Sequence, residues 1–201
     1  MPPRPPSCSD GYHHGDLRNA LLKAARKLLE ERGPSSLALR EIARRVGVSA
    51  PSAYHHFPNL DAIAVALAEQ GAAEMAERLT ALPRPSVNKS RLLRIGEAYV
   101  AFARANPALY RLMFGEGFPI ASRSGQAVRN LRKRARDTIK SALAHRFPEA
   151  DLSIAGLFLW SVVHGLALLV IDDQINPEED ADDTVLRVLQ LSGKALVRPR
   201  G

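Results

Sequence analysis

The chain has 201 residues, 46% of them hydrophobic but only 5% aromatic, and a formal net charge of +7. This is enough apolar chain to fill one large or two small cores, and its Leu and Ala favour helices over sheet. The excess of cations suits a polyanionic partner, and the single Cys8 excludes an intramolecular disulfide and fits a reducing cytoplasm.

Residues 1–11 contain Arg4 as their only basic residue and no apolar run, so they read as a disordered tail and not as a signal peptide. The following Tyr12, His13, His14, Gly15 and Asp16 have no matching ligands elsewhere. They are therefore expected to lead into the first helix, with no metal bound. From Asp16 to Arg32 the residues Leu17, Ala20, Leu21, Ala24, Ala25, Leu28 and Leu29 follow helical spacing, with Asp16 as cap and Gly33-Pro34 as stop.

A second helix is predicted over 39–46. It buries Leu39, Ile42, Ala43 and Val46 and turns Arg40, Arg44 and Arg45 to solvent or phosphate, with Glu41 within reach of Arg44 or Arg45. Gly47 suits the left-handed C′ position, Ser49 is a good N-cap, and Pro51 fits the first turn of a third helix that runs to His56. Two short helices joined at a Gly form the helix-turn-helix pattern, whose second helix enters the DNA major groove. Over residues 1–60 nine Lys or Arg stand against five Asp or Glu, which concentrates the positive charge where phosphate attraction needs it.

The run Ile42-Ala43, Gly47-Val48-Ser49, Tyr54, His56-Phe57, Leu60 and Ile63 resembles the DNA-binding domain of the tetracycline-repressor (TetR) family of bacterial regulators, over roughly residues 12–70. Leu60 departs from the pattern, since the family usually places Lys there beside a phosphate. The resemblance implies a DNA-contacting set of Arg40, Ser49, Ala50, Pro51, Ser52, Ala53, Tyr54 and His56. Within it Ser52 and Arg40 are candidates for base edges, and Ala50 and Ala53 for thymine methyls. Tyr54, His56 and the helix-start amides are candidates for phosphates.

Asn59 is expected to cap a connecting helix over 60–82 that carries Leu60, Ile63, Leu67, Met75 and Leu79, ended by Pro83 and Pro85. The expected organisation is a tail over 1–11, a DNA-binding domain over 12–60, and a helical effector-binding and dimerisation domain over 61–201. Beyond the break, Leu92, Ile95, Tyr99 and Phe102 line one helix ending at Asn106, and a short helix over 108–114 leads into the Gly-rich loop 115–119. A basic helix over about 122–146 presents Arg129, Arg132, Lys133, Arg134 and Arg136 all round, as a solvated face does.

The stretch from Leu152 to Ile171 is almost wholly apolar, but Ser161 and His164 interrupt it. Its flanks, Asp151, Asp172 and Asp173, lack basic anchors, so a buried or interface helix is expected and not a membrane span. A last helix should open at Asn176-Pro177 and carry Val185, Leu186, Leu189 and Leu196. The apolar excess of the 152–171 helix, with Ser192-Gly193 allowing close approach, predicts an isologous homodimer through the last two helices.

Tyr110-Arg-Leu-Met-Phe114 with Trp160-Ser-Val-Val-His164-Gly165 is similar to the C-terminal domain of a TetR subfamily marked by a Trp and a His-Gly pair. Together the resemblances imply an all-α, homodimeric, cytoplasmic regulator of double-stranded DNA, usually a repressor, released by a small molecule. Trp160 and His164 lie one turn apart, and with Tyr99, Phe102, Tyr110, Met113, Phe114 and Phe118 they would enclose a mainly apolar effector pocket. The alternative is a packed core with His164 bonded to a backbone carbonyl. Two other functions compete with this reading. An enzyme using His164 as general base has no nucleophile, metal set or oxyanion loop beside it, so no catalytic residue and no cofactor is assigned. An architectural DNA protein would need no pocket at all.

Overall fold

The computed structural model describes residues 14–82, 90–114, 147–175 and 180–195, with separate positions between 133 and 144. Regular structure among the described residues is entirely helical, as expected for an all-α chain: α1 His14–Arg32, α2 Leu39–Val46, α3 Ala50–His56, α4 Leu60–Thr80, α5 Arg91–Ala105, α6 Pro107–Phe114, α7 Glu149–Ile171 and α8 Ala181–Ala195. The chain divides into two compact units, residues 1–63 and 64–201, with the division inside α4.

In the first unit α1 supplies the expected Leu17, Leu21, Ala25, Leu28 and Leu29 to the core together with Leu22, while Ala20 and Ala24 are only half-buried. It starts at His14, so Asp16 lies in its first turn and is not the cap that was expected. Gly33 ends the helix at φ 77°, its amide donating to the Leu29 carbonyl, and Pro34–Ser36 form a single 3-10 turn. Leu39, Ile42 and Ala43 of α2 complete this core with Ala53, Phe57 and Ile63. Val46, assigned to the core by its spacing, is only half-buried at the last turn of α2. Phe57 is 2% exposed, and the Arg18 guanidinium lies 4.9 Å over its ring.

In the second unit α5 packs along α7 and α8. Two glycines set the closest approaches: a Cβ on Gly71 of α4 would lie 2.7 Å from Met113 Sδ, and one on Gly96 of α5 would lie 2.7 Å from Leu189 Cδ2. Ile139, Leu143, Leu152, Ala155 and Leu159 form a further cluster, with Leu92, Phe147 and Trp160 packed against it. Charged pairs fix the helix ends. Arg104 pairs with Asp182, and Arg111 bonds both the Ile171 carbonyl and the Asp172 carboxylate at the end of α7.

Helix α7 begins at Glu149, three residues before the expected start. The fixed φ of Pro148 and the acids Glu149 and Asp151 suit a first turn. It is long and apolar enough to cross a membrane by length and composition, and a third of its most apolar window is buried within the protein. One side remains uncovered, with Ile154, Leu157, Phe158 and Leu169 exposed. The Asn176-Pro177 opening and the loop 115–119 lie outside the described residues, as do Leu196 and most of the basic stretch 122–146. Asp180 caps the start of α8 as described, its carboxylate accepting from the amides of Asp182 and Asp183 at 2.8 and 3.4 Å.

Candidate functional site

The predicted site residues fall into two groups, one in each unit. In the first unit the bend between α2 and α3 is made locally. Gly47 adopts φ 79°, ψ 26°, a left-handed conformation that favours glycine, and the Val48 amide returns to the Ala43 carbonyl at 3.0 Å. Ser49 then starts α3, its hydroxyl accepting from the Ser52 amide at 3.3 Å, and Pro51 occupies the first turn. Ser49 and Pro51 are exposed and Ala50 and Ser52 half-buried. Tyr54 is 47% exposed, and His55 and His56 meet edge to face at 5.6 Å.

Ala53 departs from the expectation that its methyl meets a thymine. It is fully buried, on the same side of α3 as Phe57 one turn later, and its side chain belongs to the core of the unit. The apolar pair Ala53 and Phe57 at i, i+4 is the signal in the sequence that points this way.

Arg40 is exposed on α2. Arg44 and Arg45 are not simply turned to solvent or phosphate. Arg44 makes a two-pronged bond to Glu41, at 2.8 Å for both contacts, while Arg45 bonds Glu31 of α1 at 2.8 Å and Glu41 at 3.3 Å. Hydrogen bonding from Arg44, and secondarily from Arg45, holds the Glu41 carboxyl down to about 2, and the Arg45 bond holds Glu31 below the usual carboxylate range. The Glu41 pairing was legible from helical spacing. The bond to Glu31, fourteen residues away, was not.

In the second unit the structure brings together five of the eight residues assigned to the effector pocket. Tyr110 of α6 is fully buried, with its hydroxyl 2.6 Å from His164 Nδ1 on α7 and 3.1 Å from the hydroxyl of Tyr99 on α5. Tyr99 Oη stands 3.5 Å from the same nitrogen. Aromatic rings surround the imidazole: Trp160 stacks on it at 5.1 Å with a 16° interplanar angle, and Phe114 approaches at 4.7 Å. Burial pushes the Tyr99 phenol up to about 12, although hydrogen bonds with Tyr110 and Trp160 act the other way. The polar groups of this centre thus form a phenol–phenol–imidazole chain inside apolar surroundings. His164 is half-buried, and two tyrosine hydroxyls lie within reach of its Nδ1, where the alternative reading expected a backbone carbonyl.

The other assigned residues go elsewhere. Phe102 is fully buried beneath the Arg78 guanidinium, 5.3 Å from its ring. Met113 packs with Leu109 into the notch at Gly71. The reason is the phase of α6, where Tyr110 and Phe114 share one side and Leu109 and Met113 the next, about 100° round the helix. Phe118 lies outside the described residues. Sequence reading missed Arg111, which joins α6 to the end of α7 next to Tyr110.

Residues 21–67 match the family model for bacterial regulatory proteins of the tetR family, and residues 92–191 match that for the tetracyclin repressor-like C-terminal domain. An uncharacterized helix-turn-helix-type transcriptional regulator of Bacillus subtilis, YobS, is 27% identical over 96 residues, which is 48% of this chain and 50% of that protein. The chain thus spans about half the length of this curated relative. A structure of a protein of unknown function from Rhodococcus sp. RHA1 is similar at 27% identity and a TM-score of 0.80, covering 94% of this chain and all of that one. FadR from Bacillus subtilis, solved in complex with stearoyl-CoA, shares the fold at 17% identity and a TM-score of 0.68, over 87% of this chain and 96% of its own.

Proposed function

The chain belongs to the TetR family of bacterial regulatory proteins, and from that premise we propose that it is a DNA-binding transcriptional regulator whose operator affinity is lowered by a small, largely apolar effector with one hydrogen-bonding group. The observation that carries the DNA-binding part is the Gly47 bend followed by the Ser49-capped α3 with Tyr54 exposed. The reading domain is taken as 12–60 and the effector and dimerisation domain as 61–201. Arg40 and Ser52 are the candidates for base edges, Ala50 for a thymine methyl, and Ser49, Pro51, Tyr54 and His56 for the phosphate-facing side.

The effector part is supported by the polar chain of Tyr99, Tyr110 and His164 set among Trp160 and Phe114. Such an apolar surround with few polar tips is the usual composition of a small-molecule site. Ligand response also has support from FadR, which shares the fold and holds stearoyl-CoA. The stacking of Trp160 on His164 supports membership of the subfamily marked by a Trp and a His-Gly pair. The regulator acts in the cytoplasm as a homodimer, and the uncovered side of α7 is where a second copy docks. It is a repressor and not an enzyme.

Duplexes selected by the full-length protein from a random pool test this directly. Arg40→Ala should lower affinity and relax sequence preference, while Tyr54→Ala should lower affinity for selected and scrambled duplexes alike. Trp160 is the only tryptophan, so its fluorescence reports effector binding. His164→Leu should blunt the effector response without weakening DNA binding by the free protein. Wild-type binding to DNA by both helix-turn-helix variants, with their folding intact, would reject the assignment.

A further inference from the structure

The eight-residue α2 contributes only Leu39, Ile42 and Ala43 as buried side chains. Apolar contacts are non-directional, so three small or medium side chains fix the roll of so short a helix weakly. A directional restraint is present on the side that faces α1. The Arg45 guanidinium reaches Glu31 of α1 through Nη1 at 2.8 Å and Glu41 of its own helix through Nε at 3.3 Å, with the Arg45 side chain only 19% exposed. Glu41 is held in turn by Arg44, whose side chain is 73% exposed, and Glu31 lies 3.8 Å from Lys27. A planar fork shared by two carboxylates resists rotation as a point charge does not. Because α3 follows α2 through the tight Gly47 bend, any roll of α2 displaces the residues of α3 as well.

We propose that Arg45, clasped between Glu31 and Glu41, is a positioning residue for sequence recognition and not a phosphate contact. Its guanidinium is already shared by two carboxylates and largely covered. The group Glu31, Glu41, Arg44 and Arg45 carries two charges of each sign, so it adds no net attraction for a polyanion. The clasp orients the reading helix, and its worth appears as discrimination between sequences. The inference rests on the DNA-binding reading above.

The decisive variant is Glu31→Gln, because the two roles predict opposite signs. It raises the net charge by one, which for a protein held only by phosphate attraction strengthens binding to every duplex. The clasp predicts weaker binding to the selected duplex. The experiment titrates full-length wild type, Glu31→Gln, Arg45→Lys and the double variant against a duplex recovered by the wild type from a random pool, and against its scrambled version. Circular dichroism confirms that helix content is unchanged. Each single variant should lose about threefold to tenfold in affinity for the selected duplex, with the scrambled duplex bound equally or more tightly. The double variant should lose no more than about twofold beyond either single, since the pair acts as a unit. Equal or tighter binding of the selected duplex by Glu31→Gln overturns the proposal, as does an equal loss on both duplexes with a flatter salt dependence for Arg45→Lys. A wild type that enriches no duplex at all defeats the DNA-binding reading itself, and it does so before any variant is measured.

Discussion

Replacing Tyr110 by Phe keeps a ring in contact with Phe114 at 4.8 Å and Tyr99 at 5.9 Å, and deletes one hydroxyl from a fully buried position. Two hydrogen bonds go with it, at 2.6 Å to His164 Nδ1 and 3.1 Å to Tyr99 Oη. A typical intramolecular hydrogen bond contributes about 1 kcal/mol net, and a buried group left short of partners costs about 1–3 kcal/mol more. Tyr99 still stands within 3.5 Å of His164, so part of the loss is recovered. We therefore expect destabilisation of about 2 kcal/mol, the net contribution of the two lost bonds with the burial cost largely offset. For a chain of this size each kcal/mol lowers Tm by about 2–4 °C, which gives a drop of roughly 4–8 °C. The assay is urea and thermal denaturation at one protein concentration for wild type, Tyr110→Phe, Tyr99→Phe and the double variant. A connected chain requires coupling of about 1 kcal/mol between the two tyrosines. A Tyr110→Phe variant within about 0.5 kcal/mol of wild type, or strictly additive losses, would refute the reasoning.

Burial holds the Tyr99 phenol up at about 12, above an unfolded value near 10. The raised value adds stability that is complete below about pH 10 and is lost as pH rises from there toward 12; urea melts across this interval should show the decline flattened in Tyr99→Phe. Gly71→Ala should cost about 1 kcal/mol of stability by chemical denaturation. Crowding fully buried Met113 and Leu109 outweighs the gain in helix propensity, and an increase in stability would contradict the packing described. Asp173 ends α7 at φ 52°, the single non-glycine residue with positive φ among the described residues, so Asp173→Gly should raise Tm by an amount worth up to about 1 kcal/mol. Leu169, 47% exposed on α7, should yield monomers in sedimentation when changed to Glu, and an unshifted dimer would place the interface elsewhere.

The boundaries of α2 and α3 were legible because their causes are local. Gly47 reaches a left-handed conformation that costs other residues energy, Ser49 offers its hydroxyl to the Ser52 amide, and Pro51 fits where no amide is needed. Asn59 behaves in the same way, its side chain accepting from the Ala62 amide at 2.9 Å. The apolar spacing of α1 likewise foretold its buried side, since a repeat of 3.6 residues is written in the chain whatever packs against it.

Which side of a short helix faces inward was harder to read. α3 has seven residues, too few for a periodic pattern to declare itself, and Ala53 is small enough to suit either a core or a groove; packing decided for the core. The cluster around His164 shows the same division. Aromatic residues on α5, α6 and α7 were visible as a set, but 11 residues separate Tyr99 from Tyr110 and 54 separate Tyr110 from His164, and nothing in the sequence sets the rotation of one helix against another. That rotation brought the two phenols to one imidazole nitrogen, sent Phe102 beneath Arg78 and placed Met113 at Gly71. It also set Arg45 against Glu31, fourteen residues away on another helix. The sequence by itself determined where α2 and α3 start and stop, because caps, glycines and prolines act over three or four residues. Only the tertiary structure decided which side chains meet, because the phase between helices is fixed by the joint packing of surfaces that lie far apart in the chain.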